Sequence, residues 1–255
     1  MPIDLNSDVG ESFGAYRLGA DADVMRSITS ANVACGFHAG DPDVMRQTVR
    51  LARENGVAVG AHPGFPDLAG FGRRELRASP REVEHMVLYQ IGALEAIARA
   101  EGVRLAHVKA HGALYNMAAA DRSLADAIAR AVRTFDRSLV LFGLPNSELV
   151  RAGESAGLRI ASEGFADRAY EPDGTLAARS TAGSVLHDPD EVVRRAIRMV
   201  TEGSVVARDG SPLTFRVDTL CVHGDTPGAA ELTRRLRAGL EAHGIDVKSL
   251  AGAAS

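Results

Sequence analysis

The chain has 255 residues, and its 29 basic and 33 acidic residues leave a net charge of −4. Because the basic residues do not cluster, nucleic acid and anionic membranes are excluded as expected partners. No run approaches the ~18 apolar residues of a membrane-spanning helix, and the N-terminus lacks a signal-peptide pattern. Cys35 and Cys221 each follow an apolar run, where cysteine usually packs as a small hydrophobe. We therefore expect a soluble, reduced, cytoplasmic protein.

The first segment that carries chemistry runs from Asp4 to Glu11, directly after apolar residues that can begin a strand. In a strand, alternation sends Asp4, Asn6 and Asp8 to the same face. Three polar groups on one face suit the rim of a pocket better than a core. A solvated N-terminal arm is the alternative for this segment alone, and the rest of the chain argues against it.

Glycine and proline mark the boundaries of the elements that follow. Helical patterns end in glycine and lead directly into short apolar strands, and glycine adopts the left-handed conformation that this junction needs. These glycines are Gly56, Gly102, Gly157 and Gly244. Helix starts carry a capping side chain before a proline, and Ser79 with Glu82 also fits a capping box. The capping residues are Asp41, Ser79, Asp188 and Thr226.

The helices are amphipathic, and the strands are short apolar runs. In 80–101 an apolar stripe is formed by Val83, Met86, Val87, Ile91, Leu94 and Ile97. Unbroken apolar strands suit a parallel sheet that is covered on both faces. Strand, helix and glycine alternate about seven times without a linker, which predicts one α/β domain over 1–255 that closes into a barrel. Two long irregular stretches, 63–78 and 164–184, are typical of functional loops.

Polar residues follow the apolar runs at the points where the strands end. They are His38, Asp41, His62, Lys109, His111, Glu163, Asp167, Arg168, His223 and Asp225. The other four histidines occupy helix, strand-start or surface positions in this pattern. Ligand sites of barrels and parallel sheets lie at the carboxyl ends of the strands. Taken singly, each residue has a structural explanation, such as helix capping by Asp41, but all of these explanations would have to hold together. The pattern therefore predicts an active site.

The residues leave the chemistry of that site open. Histidine with aspartate at strand ends could hold a divalent metal, although no HxxxH or HExxH spacing on a helix is present. Alternatively, acids and histidines transfer protons while Lys109 and Arg168 hold an anionic substrate. A thiol nucleophile, Cys35 near His38 or Cys221 near His223, is the least favoured option because both cysteines end apolar runs. Neither GxxxxGK[ST] nor GxGxxG is present, so no standard nucleotide motif is found.

Six blocks of the sequence resemble the LamB/YcsF family. They are DLNSDVGESFG, ANVACGFHAGDP, GAHPGFPDLAGFGRR, VKAHGALYN, EGFADRAYEPDGTL and CVHGDTPGA. The blocks run from residue 4 to about residue 229 in the family's order and spacing, so the resemblance covers nearly the whole chain. Ala110 and Ala182 stand where the family usually has proline. Losing a proline relaxes the backbone locally but removes no functional group.

The resemblance implies a seven-stranded α/β barrel of the glycoside hydrolase/deacetylase type. It also implies the ATP-dependent opening of 5-oxoproline to L-glutamate, with Mg-ATP as co-substrate and with subunits B and C as partners. A homo-oligomer is compatible with it. A five-membered lactam resists water because amide resonance must be broken, and phosphorylation of the amide oxygen supplies a leaving group.

From the resemblance we expect Lys109 or Arg168 to hold the substrate carboxylate or the phosphoryl group. A carboxylate or a strand-end histidine would position and deprotonate the attacking water. The expected catalytic residues are Asp8, Glu11, His38, His62, Lys109, His111 and His223. The expected substrate-binding residues are Asn6, Asp41, Glu163, Asp167, Arg168 and Asp225. If a dedicated divalent metal is bound, its expected ligands are Asp8, His38 and His62.

Two other functions stay open. The first is a stand-alone metal-dependent deacetylase or related hydrolase on the same barrel, which would lose activity to a chelator and need no ATP. The second is a non-catalytic barrel that only scaffolds its partners. The number of ionisable residues at the strand ends argues against a scaffold, because a scaffold has no need of a polar pocket.

Overall fold

The computed structural model describes residues 2–223 and 228–250, apart from the side chain of His223. Its strands are β1 Pro2–Val9, β2 Ser30–Ala34, β3 Ala58–His62, β4 Leu105–Lys109, β5 Val140–Gly143, β6 Arg159–Phe165, β7 Ser204–Val206, β8 Pro212–Thr214, β9 Thr219–His223 and β10 Asp246–Val247. β1 to β6 and then β9 form a parallel sheet, and pairing of β9 with β1 closes it. The expected seven-stranded barrel is confirmed. β10 pairs with the start of β1, and β7 pairs with β8.

Helices cover the outside of the barrel. Those of the described residues are α1 Asp21–Val24, α2 Pro42–Glu54, α3 Pro80–Ala100, α4 Gly112–Ala120, α5 Arg122–Phe135, α6 Glu148–Ser155, α7 Pro189–Glu202 and α8 Ala229–Ala242. The stripe predicted on α3 is buried at Val83, Val87, Ile91 and Leu94, whereas Met86 and Ile97 are partly buried against the same core. Burial of these stripes against the strands forms the hydrophobic layer between barrel and helices.

Element boundaries follow the predicted signals. Ser79 accepts a hydrogen bond from the backbone of Glu82, and the Glu82 side chain bonds back to the Ser79 backbone, which completes the capping box. Asp41 and Asp188 cap α2 and α7. All four glycines expected after helices have positive φ, between 66° and 74°. The fourth predicted helix start, Thr226 with its following proline, lies outside the described residues.

The prediction that Asp4 and Asn6 lie at a pocket rim is wrong. Both are fully buried inside the barrel, and only Asp8, at the end of β1, reaches a cavity. Asp4 accepts hydrogen bonds from Thr29, Ser30 and Thr219. Burial raises the pKa of the Asp4 carboxyl, and these hydroxyl donors partly oppose the rise. Alternation placed the three side chains on one face, but barrel closure turned that face inward.

A carboxylate at the end of α3 ties this helix to α2. Glu101 accepts hydrogen bonds from Arg46 and Arg50, which lie one turn apart on α2. The bonds from Arg50 and Arg46 lower the pKa of Glu101 from its ordinary value of 4.5 to about 2. A carboxyl whose pKa is lowered on folding stabilises the fold above its unfolded pKa, and this contribution is lost as the pH falls through the folded pKa.

We therefore expect Glu101→Gln to lower the midpoint of urea unfolding at pH 7. The difference from wild type should shrink as the pH falls from 4.5 towards 2, because the wild-type carboxylate then loses its charge as well. The matched control is Glu202→Gln, which removes an exposed ion pair with Arg198 and should change little. A Glu101→Gln deficit that stays constant over this pH range would contradict the assignment.

Cys35 and Cys221 are buried and unpaired, as expected. Residues 63–78 are irregular and stand over the carboxyl ends of the strands. The segment 164–184 begins within β6 and then forms short bridges, Arg168 with Val185 and Tyr170 with Leu176. Within the described residues, no helix is long and apolar enough to cross a membrane.

Candidate active site

A cavity of about 380 Å³ lies at the carboxyl ends of the barrel strands. This is the end at which ligand sites of parallel barrels occur. Its walls come from the strand ends and from the two long loops. The ionisable residues that line it are Asp8, Glu11, His62, Arg73, Glu75, Lys109, His111, Tyr115, Arg168 and Arg179. The lining thus combines carboxylates and imidazoles with three guanidinium groups.

Lys109, the last residue of β4, forms the charged centre of the floor. Its Nζ lies 2.9 Å from Asp8 Oδ1, 2.9 Å from Glu163 Oε1 and 3.0 Å from Cys221 Sγ. Burial disfavours the ammonium form, but Asp8, Cys221 and Glu163 outweigh burial and hold the pKa of Lys109 well above its usual value. An ammonium group has three N–H donors; Lys109 directs hydrogen bonds to Asp8, Cys221 and, at 3.4 Å, Asn6, and it is ion-paired with Glu163. Lys109 is therefore placed to hold Asp8 charged and oriented.

A hydrogen-bonded layer beneath Lys109 supports Asp8. Asn32 donates from Nδ2 to Asp8 Oδ1 and to Asn6 Oδ1, each at 2.8 Å. His107 Nε2 donates to Asn32 Oδ1 at 2.7 Å. Burial, with the nearby charge of Lys109, lowers the pKa of His107 to about 3, so this imidazole is neutral at pH 7. The Asp8 carboxylate is thus fixed from below as well as from the side.

Sequence reasoning missed this layer. It placed His107 among the histidines at helix, strand-start or surface positions, whereas His107 is buried in the middle of β4. Asn32 was not singled out at all. A polar residue inside an otherwise apolar strand was the available signal, because such a side chain needs a buried partner. Gly60 makes room for the ring, since a Cβ there would come within 2.2 Å of the His107 imidazole.

Four buried side chains form a second cluster beside Asp8. Glu11, His38, His62 and His111 each offer one ligand atom, and these atoms all lie within 4.8 Å of one another. The rings of His38 and His111 stack with centroids 3.7 Å apart, and His62 stands edge-on to both. This cluster could hold a metal ion. It contains two of the three expected ligands, His38 and His62, while Asp8 is instead ion-paired with Lys109.

Two histidines of this cluster, His38 and His111, are held without charge. Burial lowers the pKa of His38 and of His111 well below the ordinary value, and the neighbouring imidazoles lower both further. Both rings are therefore neutral at pH 7 and carry a lone pair that can accept a proton or bind a metal. Burial raises the pKa of the Tyr115 phenol, with Glu163 adding to the rise, so Tyr115 is protonated at the same pH. Tyr115 was also absent from the sequence predictions.

Two glycines, Gly72 in the loop after β3 and Gly112 at the start of α4, let the backbone approach this cluster. Gly72 has φ +62°, and a Cβ there would lie 2.7 Å from His38 Cβ and 2.8 Å from His111 Cδ2. Gly112 has φ +56°, and its Cβ would lie 2.6 Å from the Gly72 carbonyl oxygen. The backbone of 71–72 can approach the imidazoles only because both positions lack a side chain.

Of the remaining predicted residues that the structure describes, some line the cavity and others do not. Asp41 caps α2 through the backbone of Asp43 and Val44 and does not line the cavity. Asp167 is buried in the loop after β6. Arg168 lines the cavity, and its guanidinium donates to the carbonyls of Ser184 and Ala177. The side chain of His223 and all of Asp225 lie outside the described residues.

Arg168 has a second feature that bears on substrate binding. Burial lowers the pKa of its guanidinium to about 10, so it remains charged at pH 7. Two of its five N–H donors are used on carbonyls of its own loop. Arg168, Arg73 and Arg179 together form the cationic side of the cavity lining. Guanidinium groups of this kind are suited to bind carboxylate or phosphate groups.

Comparison with known proteins adds a family and several close relatives. A family model described as the LamB/YcsF family matches residues 3–255. A Symbiobacterium thermophilum protein, named as the A subunit of 5-oxoprolinase, is 60% identical over 96% of this chain and 94% of that protein. A Bacillus subtilis protein of the same name is 54% identical over 97% of this chain and 96% of that protein. The crystal structure of a lactam utilization protein from Thermus thermophilus superposes with a TM-score of 0.93 at 52% identity, covering 98% of this chain and 100% of that one.

Proposed function

Because the chain belongs to the LamB/YcsF family, we propose that it is the A subunit of a 5-oxoprolinase, which opens 5-oxoproline to L-glutamate with hydrolysis of ATP. Subunits B and C are its proposed partners. The observation that carries the proposal is the near full-length identity, 54–60%, to relatives that are named as the A subunit of 5-oxoprolinase. The similarity to a lactam utilization protein supports the same substrate class.

The proposed reaction breaks a C–N bond that amide resonance protects. ATP supplies the driving force, since phosphorylation of the amide oxygen leaves a carbon that water attacks readily. The carboxylate of 5-oxoproline and the phosphates of ATP are anions, and the cationic side of the cavity suits them. We assign this binding role to Arg168, with Arg73 and Arg179 beside it. Lys109 is less suited to it, because its Nζ already bonds Asp8 and Cys221 and is ion-paired with Glu163.

The part of the cavity lined by Asp8 and His62 suits proton transfer. Asp8 lies 7% exposed at its floor, with Oδ2 3.4 Å from His62 Nε2. We assign to Asp8 the deprotonation of the attacking water, and to His62 and Lys109 the positioning of the Asp8 carboxylate. Glu11, His38 and His111 complete this part. General acid–base contributions of this kind are worth about 10²–10⁴-fold in rate.

The test is glutamate release from 5-oxoproline in a mixture of this chain with subunits B and C. Release that requires ATP and is abolished when this chain is omitted is the expected result. The absence of release from soluble, assembled partners would reject 5-oxoproline as the substrate.

The cluster of Glu11 and three histidines favours a second candidate, a metal-dependent hydrolase that needs no ATP. Release that persists without ATP and is lost to a chelator would support that candidate instead.

A further inference from the structure

His62 and His111 direct nitrogen atoms at each other that cannot both carry a hydrogen. His62 Nδ1 lies 2.8 Å from the Lys109 carbonyl oxygen, and His111 Nε2 lies 2.8 Å from that of Phe71. A carbonyl only accepts, so each ring places a hydrogen on the nitrogen that faces its carbonyl. His62 Nε2 and His111 Nδ1 then face each other 2.9 Å apart. A cation bound by both nitrogens would satisfy them together.

Two more possible ligands, Glu11 and His38, surround this pair of nitrogens. Glu11 Oε1 lies 3.6 Å from His111 Nδ1 and 3.3 Å from His38 Nε2. His38 is completely buried, and its Nε2 is the nitrogen that faces Glu11 and can join the cluster.

The separations match those of ligands around a small metal ion. Bonds of 2.0–2.1 Å in a tetrahedral arrangement place neighbouring ligand atoms roughly 3.3 Å apart. Three of the six distances between the ligand atoms, 2.9, 3.3 and 3.6 Å, lie on either side of this value, and all six are within 4.8 Å. The carbonyls behind His62 and His111 also fit, because metal-binding histidines usually donate their other N–H to such a group.

We propose that Glu11, His38, His62 and His111 bind one divalent transition-metal ion, with Zn²⁺ preferred over Mg²⁺. Three imidazoles and one carboxylate suit Zn²⁺ and its neighbours, whereas Mg²⁺ prefers oxygen ligands and retains its waters. Asp8 is not a ligand in this assignment: Lys109 and Asn32 bind its Oδ1, and its Oδ2 lies 3.4 Å from His62 Nε2, beside the cluster.

This inference goes beyond the proposed function and does not rest on it. A bound ion of this kind would act as a Lewis acid towards a carbonyl or phosphoryl oxygen. Its presence can be measured without 5-oxoproline, ATP or partner subunits, so a failure of the proposed function leaves the metal site standing, and the reverse also holds.

The experiment treats the full chain with EDTA, removes the chelator and titrates the protein with ZnCl₂ by calorimetry. We expect one equivalent to bind and the Tm to rise with the Zn²⁺ concentration, because binding to the native state stabilises it. CoCl₂ should give visible absorption bands that Zn²⁺ abolishes and MgCl₂ leaves unchanged. Glu11→Gln and His111→Ala should each weaken Zn²⁺ binding at least ~10-fold.

The matched control is His85→Ala, which removes an exposed histidine of α3 and should bind Zn²⁺ as the wild type does. If His111→Ala does not fold, the nearly isosteric Glu11→Gln and the Co²⁺ spectrum of the wild type decide the matter. Zn²⁺ binding that is equally tight in wild type and in folded Glu11→Gln would overturn the proposal. A wild-type chain that binds neither Zn²⁺ nor Co²⁺ would overturn it as well.

Discussion

Asp8→Asn is expected to lower ATP-dependent glutamate release by the reconstituted complex at least ~100-fold, in line with the loss of a general base. The substitution keeps the size of the side chain but removes the charge that faces Lys109 at 2.9 Å and His62 at 3.4 Å. His62→Ala should lower turnover to a similar extent, since the ring contacts Asp8 and belongs to the cluster of Glu11 and three histidines. The measurement is the steady-state rate at saturating 5-oxoproline and ATP.

The matched control for this pair is Asp126→Asn. It makes the same chemical change in a surface ion pair with Arg122, and exposed pairs contribute little. Its turnover should equal that of the wild type. If Asp8→Asn and His62→Ala both turn over near the wild-type rate while still folded, the assignment of proton transfer to this side of the cavity is wrong. A change in KM alone would instead move Asp8 to a binding role.

Lys109→Met is expected to have the largest effect on stability. It leaves the buried carboxylates of Asp8 and Glu163 without their common cation, and breaking a buried ion pair in this way costs about 3–5 kcal/mol. For a domain of this size the Tm should fall on the order of 10 °C. Activity should also be lost, because Asp8 is no longer held in its charged form. Thermal unfolding followed by circular dichroism measures the first effect.

A second substitution separates the two effects. Glu163→Gln in the Lys109→Met background removes one of the two buried carboxylates that have lost their cation. It should recover part of the lost stability without restoring turnover. The control is Lys248→Met, which changes the other lysine of the sequence in an exposed pair with Asp246. It should leave the Tm almost unchanged. A Lys109→Met protein as stable as the wild type would show that the three groups do not form the charged network described above.

The sequence by itself determined the elements and the end of the barrel at which the polar residues gather. Ser79 with Glu82 and the glycines after the helices set boundaries through hydrogen bonds and φ preferences of neighbouring residues. These are local effects, so a linear pattern contains them. The placement of His38, His62 and His111 at one end follows in the same way, because all parallel strands of a barrel finish on the same side.

Only the tertiary structure decided which polar residues meet. Barrel closure buries Asp4 and Asn6 but leaves Asp8 at the cavity, and the alternation of β1 is identical for all three. The pairing of Lys109 with Glu163 depends on two strands that are 54 positions apart in the chain at these residues, and nothing in the local sequence specifies it. Likewise, Glu11 follows β1 and meets histidines that end or follow β2, β3 and β4, so their meeting depends on the order of the strands in the barrel. Long-range contacts of this kind depend on strand register and loop path, which no short sequence pattern encodes.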